Sequence, residues 1–344
     1  MANNLVIRAF KANARSFNLS SKKIDQVPIA VAKFTSLLKL QLNNNRLSTL
    51  PTELQSLCSL AELNLGNNLF EEIPPVLGSL TSLRKLYLFG NEIENLPKNV
   101  LGGLSNLVLL NVNHNKIRVL PPEIKGLANL ETLSLTDNNL EVIPAEISFL
   151  EKLTEINLTN NNLVSLPQQL YSLPQLTKLY VAKNHLKELP EGILRLSKLR
   201  VLDVAGNRLT MFPMDFQFLQ LEELFCEGNS FVQHELVESV QEMEVLSLKE
   251  LAARLVLTEC RRKPSFFCEA LRLYPALADV LSQGGSCALC SQPFLTTWLE
   301  CVQFVSLRKD MKMKSSQTVP VRVLLCSYSC FNRSGHMYYG VASV

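Results

Sequence analysis

Two short cysteine pairs stand late in the 344-residue chain, Cys287-Ala-Leu-Cys290 and Cys326-Ser-Tyr-Ser-Cys330. Two close thiolate pairs separated by a segment able to fold back are a donor set for a tetrahedral structural zinc. Two alternating apolar runs lie between them, FLTTWLECVQFV and VPVRVLLC, joined by the basic stretch RKDMKMKSSQ. Alternation of this kind predicts two strands. A hairpin would bring the pairs together, and a metal would stabilise a segment with little core of its own. The reading is zinc on Cys287, Cys290, Cys326 and Cys330, set against free or packed thiols. The second pair has three intervening residues rather than two, so His336 is a substitute fourth donor. Cys260, Cys268 and Cys301 read as core residues.

Elsewhere the chemistry is sparse. The four histidines, His114, His185, His234 and His336, are far apart. Metalloprotease, phosphate-loop and nucleophile-elbow motifs do not occur, so a non-enzyme is expected. The net charge of +3 gives no general case for nucleic acid or an anionic membrane. No secretory h-region and no long apolar span stand out. The nine cysteines are odd in number, and most fall late in the chain. Together these features favour thiols in a reducing, cytoplasmic setting over a disulfide framework.

The chain ahead of the cysteine pairs is organised around a ladder of asparagines. Asn45, Asn68, Asn91, Asn115, Asn138, Asn161, Asn184, Asn207 and Asn229 follow one another at 22 to 24 residues. Around Asn138 the frame reads Leu130-x-x-Leu133-x-Leu135-x-x-Asn138-x-Leu140-x-x-Ile143-Pro144. That frame is the leucine-rich repeat, one short strand per coil. Alternation along the strand sends the leucines inward and the residues between them outward. Each Asn is expected inside the turn that leaves the strand, its amide serving unpaired backbone groups as part of a hydrogen-bonded column. Residues 14–34 fit a terminal repeat, with Lys22 at the Asn position. The extra residue between Asn91 and Asn115 falls in KNVLGGLSN, which reads as a loop tolerant of insertion. The chain resembles the intracellular leucine-rich repeat family. The fold expected is an α/β solenoid, a curved parallel sheet of about ten coils, with a small, zinc-stabilised C-terminal α+β domain. Its divisions are a leader (1–13), the solenoid (14–232), a helical segment (233–283) and a Cys-rich domain (284–344).

Recognition would lie at the outward strand positions, on the concave face. Tyr87, Phe89, His114, Tyr180 and Phe225 are the candidate protein-binding residues, since aromatics anchor interfaces. The face shows no concentrated basic stripe.

After the last coil, HELVESVQEMEVLSLKELAARLVL has helical periodicity, including Leu236, Val240 and Met243. Ser247 reads as an N-cap with Glu250 at the capping-box position. A second helix is expected over about 265–281, kinked or restarted at Pro275. The segment from Ser247 to Val256 resembles the elongin C-binding box of cullin-type ubiquitin ligase receptors. The resemblance implies that Leu248 anchors in the adaptor, that Ala252 allows close approach and that Val256 trails. Ala252 stands where that family more often has Cys, and YPALADVL matches a cullin-selecting box only loosely. The alternative is a helix that caps the last coil. The expected function is a monomeric, non-catalytic scaffold that binds a protein or peptide on the concave face. The second reading is an elongin–cullin substrate receptor.

Overall fold

The computed structural model describes residues 14–232, 246–261, 266–315 and 317–340. The expected leader and the periodic stretch around Leu236, Val240 and Met243 lie outside the described residues.

The leucine frame produces the coils directly. Ten three-residue strands run parallel in sequence order: Ser16–Asn18 (β1), Lys39–Gln41 (β2), Glu62–Asn64 (β3), Lys85–Tyr87 (β4), Leu109–Asn111 (β5), Thr132–Ser134 (β6), Glu155–Asn157 (β7), Lys178–Tyr180 (β8), Val201–Asp203 (β9) and Glu223–Phe225 (β10). The register never slips, so equivalent residues of successive coils face one another, as in Asn64↔Tyr87 and Tyr180↔Asp203. The central strand residue and the apolar residues around it, such as Leu133, Leu135, Leu140 and Ile143 of one coil, are buried. Each inward side chain stabilises by about 1.5–3 kcal/mol in transfer terms before chain entropy is subtracted.

A single turn of 3₁₀ helix returns most coils. Its start is set by Pro51, Pro74, Pro121, Pro144 and Pro167, whose φ values lie between −57° and −73°. Proline's fixed φ suits this position and its missing N–H costs nothing there. The Pro carbonyl accepts the first bond of the turn, as from Ile147 N–H to Pro144 O at 3.1 Å. The long repeat behaves differently from expectation. Lys98–Gly103 is an α-helix (α1), not a loop. Leu101 N–H reaches Pro97 O at 3.2 Å, and the extra residue is absorbed by exchanging a three-residue turn for a wider one.

The described residues fall into two compact units. One runs to Thr210 and includes Phe218–Ser230; the other comprises Met211–Gln217 and the chain from Phe231 on. In the second unit, helices Leu248–Arg261 (α2), Phe266–Leu271 (α3) and Pro275–Ser282 (α4) precede a set of strands. Of the two alternatives at Pro275 the chain takes the restart, because Pro275 occupies the first turn of α4, where proline is tolerated. Gly285–Ser286 (β11) pairs antiparallel with Pro293–Phe294 (β12). Leu299–Ser306 (β13) pairs antiparallel with Thr318–Leu325 (β14) over eight positions, and Tyr339–Gly340 (β15) joins the other edge of β13. A short helix, Tyr328–Phe331 (α5), follows β14. The outer edge of β14 is covered by Phe212, whose N–H donates to Pro320 O at 2.9 Å and whose carbonyl accepts from Arg322 N–H at 2.8 Å. Phe212 thus extends this sheet by a single bridge, although in sequence it reads as part of a repeat.

Candidate metal centre and docking surfaces

The hairpin places the two cysteine pairs together. All four sulfurs of Cys287, Cys290, Cys326 and Cys330 lie within 4.8 Å of one another. Cys290 Sγ is 3.5 Å from Cys326 Sγ, which is 3.7 Å from Cys330 Sγ. Tetrahedral thiolates at a Zn–S distance of about 2.3 Å have S···S edges of about 3.8 Å. The donor set and its spacing therefore fit a divalent, thiophilic ion.

Local turns fix each ligand. Cys287 sits where β11 turns toward β12; its N–H donates to Gln292 O at 2.8 Å and its carbonyl accepts from Ser291 N–H at 2.9 Å. Ser291 holds the turn with φ +60°. Ala288 N–H donates to Leu324 O at 2.9 Å and so ties this turn to β14. On the other side Ser327 caps α5, its hydroxyl accepting from Cys330 N–H at 3.3 Å. The irregular three-residue spacing of the second pair is a consequence of that one helical turn.

Burial pushes the Cys287 thiol up, but backbone N–H groups of Cys290, Cys326 and Leu289 aimed at its sulfur outweigh this and bring it down to about 7. Burial and the neighbouring Cys290 thiol push Cys326 up to about 12. Four converging thiols oppose one another's ionisation, and a bound dication reverses that logic. His336 is not part of the set. Its Nε2 lies 2.6 Å from Phe331 O and its ring stacks on Tyr338 at 5.0 Å. Cys301 is buried in the same cluster with Phe294, Val323 and Leu325, and burial pushes its thiol up to about 12. It reads as core, as expected. Among the described residues, Cys58, Cys287, Cys290, Cys301, Cys326 and Cys330 are not joined in disulfides.

Helix α2 lies beside this centre with its polarity reversed. Ser247 caps it, accepting from Glu250 N–H at 3.1 Å. The Glu250 side chain does not return to complete a capping box. It is fully buried, at 0% exposure, and accepts from Leu295 N–H (3.0 Å), Thr296 N–H (2.7 Å) and Arg254 Nε (2.7 Å). Burial pushes this carboxyl up, yet the Arg254 guanidinium and the Thr296 and Leu295 donors prevail and hold it at about 2. Arg254 Nη2 donates in turn to Thr297 O at 2.7 Å and Cys326 O at 3.0 Å. Sequence reasoning missed this pair, since Glu and Arg four residues apart on a helix read as a solvent-facing couple.

The adaptor-binding candidates divide between two faces. Leu248 is 85% exposed, and Ala252, Leu251 and Leu255 are exposed with it. Val256 is half-buried against the cluster of Ala253, Leu281 and Leu295. Nearby, a cleft of about 240 Å³ beside Cys326 is lined by Leu246, Trp298, Leu299 and Tyr328.

On the solenoid, the ladder asparagines bind backbone. Asn138 Nδ2 donates to Val112 O (3.0 Å) and Leu135 O (3.1 Å), and its Oδ1 accepts from Ile117 N–H (3.1 Å). The same set recurs from Asn45 to Asn229. Each side chain joins its own coil to the preceding one; the asparagines do not bond one another.

One residue earlier lies a second column that sequence reasoning missed. Ser21, Asn44, Asn67, Gly90, His114, Asp137, Asn160, Lys183, Gly206 and Gly228 all have φ between +52° and +69°. The signal was present, because Asn, Asp, Gly and His are the residues enriched in that region. His114 thus has a backbone reason for its place, and its Nδ1 lies 2.9 Å from Asp137 Oδ2. Tyr87, Tyr180 and Phe225 occupy one register row at the ends of β4, β8 and β10. Phe225 is 42% exposed; Tyr87 and Tyr180 are half-buried. Phe89 leans back over the preceding coil, where a Cβ on Gly66 would stand 2.4 Å from its ring. Several charges on the face are paired along the register, Lys39 with Glu62 at 2.7 Å and Lys178 with Glu155 at 3.1 Å.

Comparison with known proteins agrees with this architecture. A model described as "Leucine-rich repeat region" matches residues 13–155, and a "Leucine rich repeat" model matches 128–186 and 174–231. Leucine-rich repeat-containing protein 69 of Xenopus laevis is 63% identical over 343 residues, 99% of each chain. The human protein of that name is 41% identical over 126 residues, 36% of each chain. Among solved structures, a leucine-rich repeat protein of Leptospira interrogans is similar at TM-score 0.62 and 30% identity, covering 67% of this chain and 65% of that one. The leucine-rich repeat ectodomain of an Arabidopsis thaliana membrane receptor kinase, solved in complex with Casparian strip integrity factor 2, is similar at TM-score 0.57 and 28% identity, covering 64% of this chain and 28% of that one. No helix among the described residues is long and apolar enough to cross a membrane. A leucine-rich repeat fold of this kind supports a protein-interaction scaffold in general, and with near-full-length identity to the frog protein the chain belongs to the leucine-rich repeat-containing protein 69 family.

Proposed function

We propose that the protein is a non-catalytic, monomeric cytoplasmic scaffold that binds a protein or peptide on the concave face of its solenoid. The observation that carries this reading is the row of Tyr87, Tyr180 and Phe225 on a face whose backbone is consumed by the sheet and where Lys39 pairs with Glu62 and Lys178 with Glu155. At about 4.8 Å per strand, Tyr180 and Phe225 stand about 10 Å apart and Tyr87 about 19 Å from Tyr180. That span suits an extended peptide or a protein edge better than a small molecule. His114 and Phe89 border the row. Proximity labelling in cells, comparing wild type with Tyr180→Glu/Phe225→Glu, tests it. Partners whose labelling falls at least about tenfold in the variant support the reading; identical labelling overturns it.

The four cysteines Cys287, Cys290, Cys326 and Cys330 hold one structural zinc in this reading, supported by their mutual spacing. Metal analysis of purified protein tests it, with about one equivalent expected and less than about a tenth contradicting it.

A second reading makes the chain a substrate receptor that docks elongin C through Leu248, Ala252 and Val256. The exposure of Leu248 and Ala252 supports it, because an adaptor anchor has to be accessible on its helix. Capture of elongin B/C by wild type and not by Leu248→Ala supports adaptor docking. Capture that ignores Leu248 removes it.

A further inference from the structure

One register row runs through the ends of all ten strands, from Asn18 to Phe225, and of its residues Asp203 alone is charged. Four other members show what the fold asks at this place. Asn18, Asn64, Asn111 and Asn157 each accept through Oδ1 the N–H two residues on, at 2.8 to 3.0 Å. Asp203 Oδ1 does the same for Ala205 N–H at 3.1 Å. Asparagine therefore meets the structural need, and the charge of Asp203 goes beyond it. That charge is also poorly placed for stability. Burial pushes the carboxyl above its ordinary value, and Glu227 adds to the push. Among the described residues Asp203 has no cationic partner. The nearby cations are engaged or turned elsewhere: Lys178 meets Glu155 at 3.1 Å, Arg200 Nη1 donates to Gln220 O at 2.8 Å, and Lys183 leans over Gly206. The residues that pair with Asp203 in register are both aromatic, Tyr180 on one side and Phe225 on the other. Strands about 4.8 Å apart, with side chains perpendicular to the sheet, make Asp203 the floor of a slot between two rings. Two residues further along, Ala182 and Ala205 are too small to close it.

We propose that Tyr180, Asp203 and Phe225 receive one arginine side chain from an extended segment of the bound partner. The inference rests on the concave-face reading and names the residue that face selects. A guanidinium suits the slot on three counts. It supplies the positive charge that Asp203 lacks. Its flat ion stacks on aromatic faces, and held midway it lies about 5 Å from each ring, inside the reach of about 6 Å for such contacts. Its fork of donors meets a carboxylate side on, and among the described residues no donor meets Asp203 Oδ2. Lysine brings the charge without the plane, and its ammonium is more strongly hydrated. An aliphatic anchor would leave the carboxylate desolvated and unpaired. An acidic one would meet Asp203 and Glu227 as like charges.

Selection from a random-peptide phage library on the full-length protein, followed by dissociation constants for the selected peptides, tests the slot. The selected peptides are expected to share one arginine. Replacing it with citrulline, which keeps the shape and removes the charge, should weaken binding at least about tenfold, and replacing it with lysine about three- to tenfold. Asp203→Asn should weaken the arginine peptides at least about tenfold and bind arginine and citrulline peptides alike. The same variant should unfold at the wild-type denaturant midpoint or above it, since asparagine keeps the Ala205 bond without the half-buried charge. Peptides that need the two rings, judged with Tyr180→Ala/Phe225→Ala, yet share no arginine or ignore citrulline, overturn the slot and leave the concave-face reading standing. Peptides that bind wild type and that double variant equally, or a library without binders, overturn the slot together with the concave-face reading of an extended partner. If Asp203→Asn fails to fold, the citrulline comparison on wild type decides alone.

Discussion

Single side chains here are tied to backbone more than to one another, and their removal is correspondingly predictable. Asn138→Ala leaves Ile117 N–H without its acceptor inside the solenoid and removes one of two donors from Val112 O and Leu135 O, which keep Asn115 Nδ2 and Asn161 Nδ2. The expected cost is about 1–3 kcal/mol, read as a lower denaturant midpoint. Tyr171 is the opposite case. It is 1% exposed, and among the described residues its hydroxyl has no hydrogen-bond partner. Burial pushes that phenol well above its ordinary range. Tyr171→Phe removes an unsatisfied group and should leave stability unchanged or raise it by up to about 1 kcal/mol, measured by the same titration. Glu250 carries a pH dependence. Its carboxyl is held at about 2 in the folded chain against an ordinary 4.5. A depressed folded value means the stabilisation is present above the ordinary value and is lost as pH falls through the folded one. About 3 kcal/mol should therefore disappear between roughly pH 4.5 and pH 2 in wild type, and Glu250→Gln should lack that part of the acid transition.

At the scale of elements, the coil geometry leaves little slack where turns stack. Gly103 closes α1 against the preceding turn, and a Cβ there would stand 1.8 Å from Gly78 O. That neighbour is backbone and cannot swing aside. Gly103→Ala should lower stability by about 1–3 kcal/mol through overpacking, whereas Gly102→Ala, with open space around it, should cost nothing measurable in the same thermal melt. The contrast would distinguish close turn stacking from a flexible insertion. The sequence suggested the latter, because a Gly-Gly pair at an irregular repeat resembles a loop. In the structure one glycine of the two is required by contact and the other is not.

For the molecule as a whole, the division into two units separates two sources of stability. The solenoid accumulates buried leucines coil by coil, as repeat proteins do. The second unit has small buried clusters around Cys287, Phe294 and Leu325 and around Ala253, Leu281 and Leu295. A metal contributes most where a core is small. Trp298, the one tryptophan of the chain, lies in the second unit and packs against Phe294 at 5.6 Å. Chelation should lower the unfolding midpoint seen by tryptophan fluorescence while the main transition in far-ultraviolet circular dichroism, dominated by the repeats, stays in place. A common shift in both signals would count against separate stabilisation. The candidate metal residues were legible because thiol spacing is short-range and type-specific. The Glu250–Arg254 pair was not, because its partners Leu295, Thr296, Thr297 and Cys326 lie 43 to 72 residues away for Arg254 and 45 to 46 for Glu250.

The repeat of Leu and Asn determined by itself the coils, their register and their inward faces, because each coil needs only its neighbour and the period states which residues meet. Beyond the repeat, the spacing of the cysteines set four thiols in two pairs. Tertiary structure alone decided which face of α2 is buried, that His336 serves Phe331 rather than the thiols, and that Phe212 extends the sheet of the second unit. Those outcomes depend on contacts between segments far apart in the chain. Periodicity predicts that a helix has two faces; only the packing around Glu250 settles which one is turned inward.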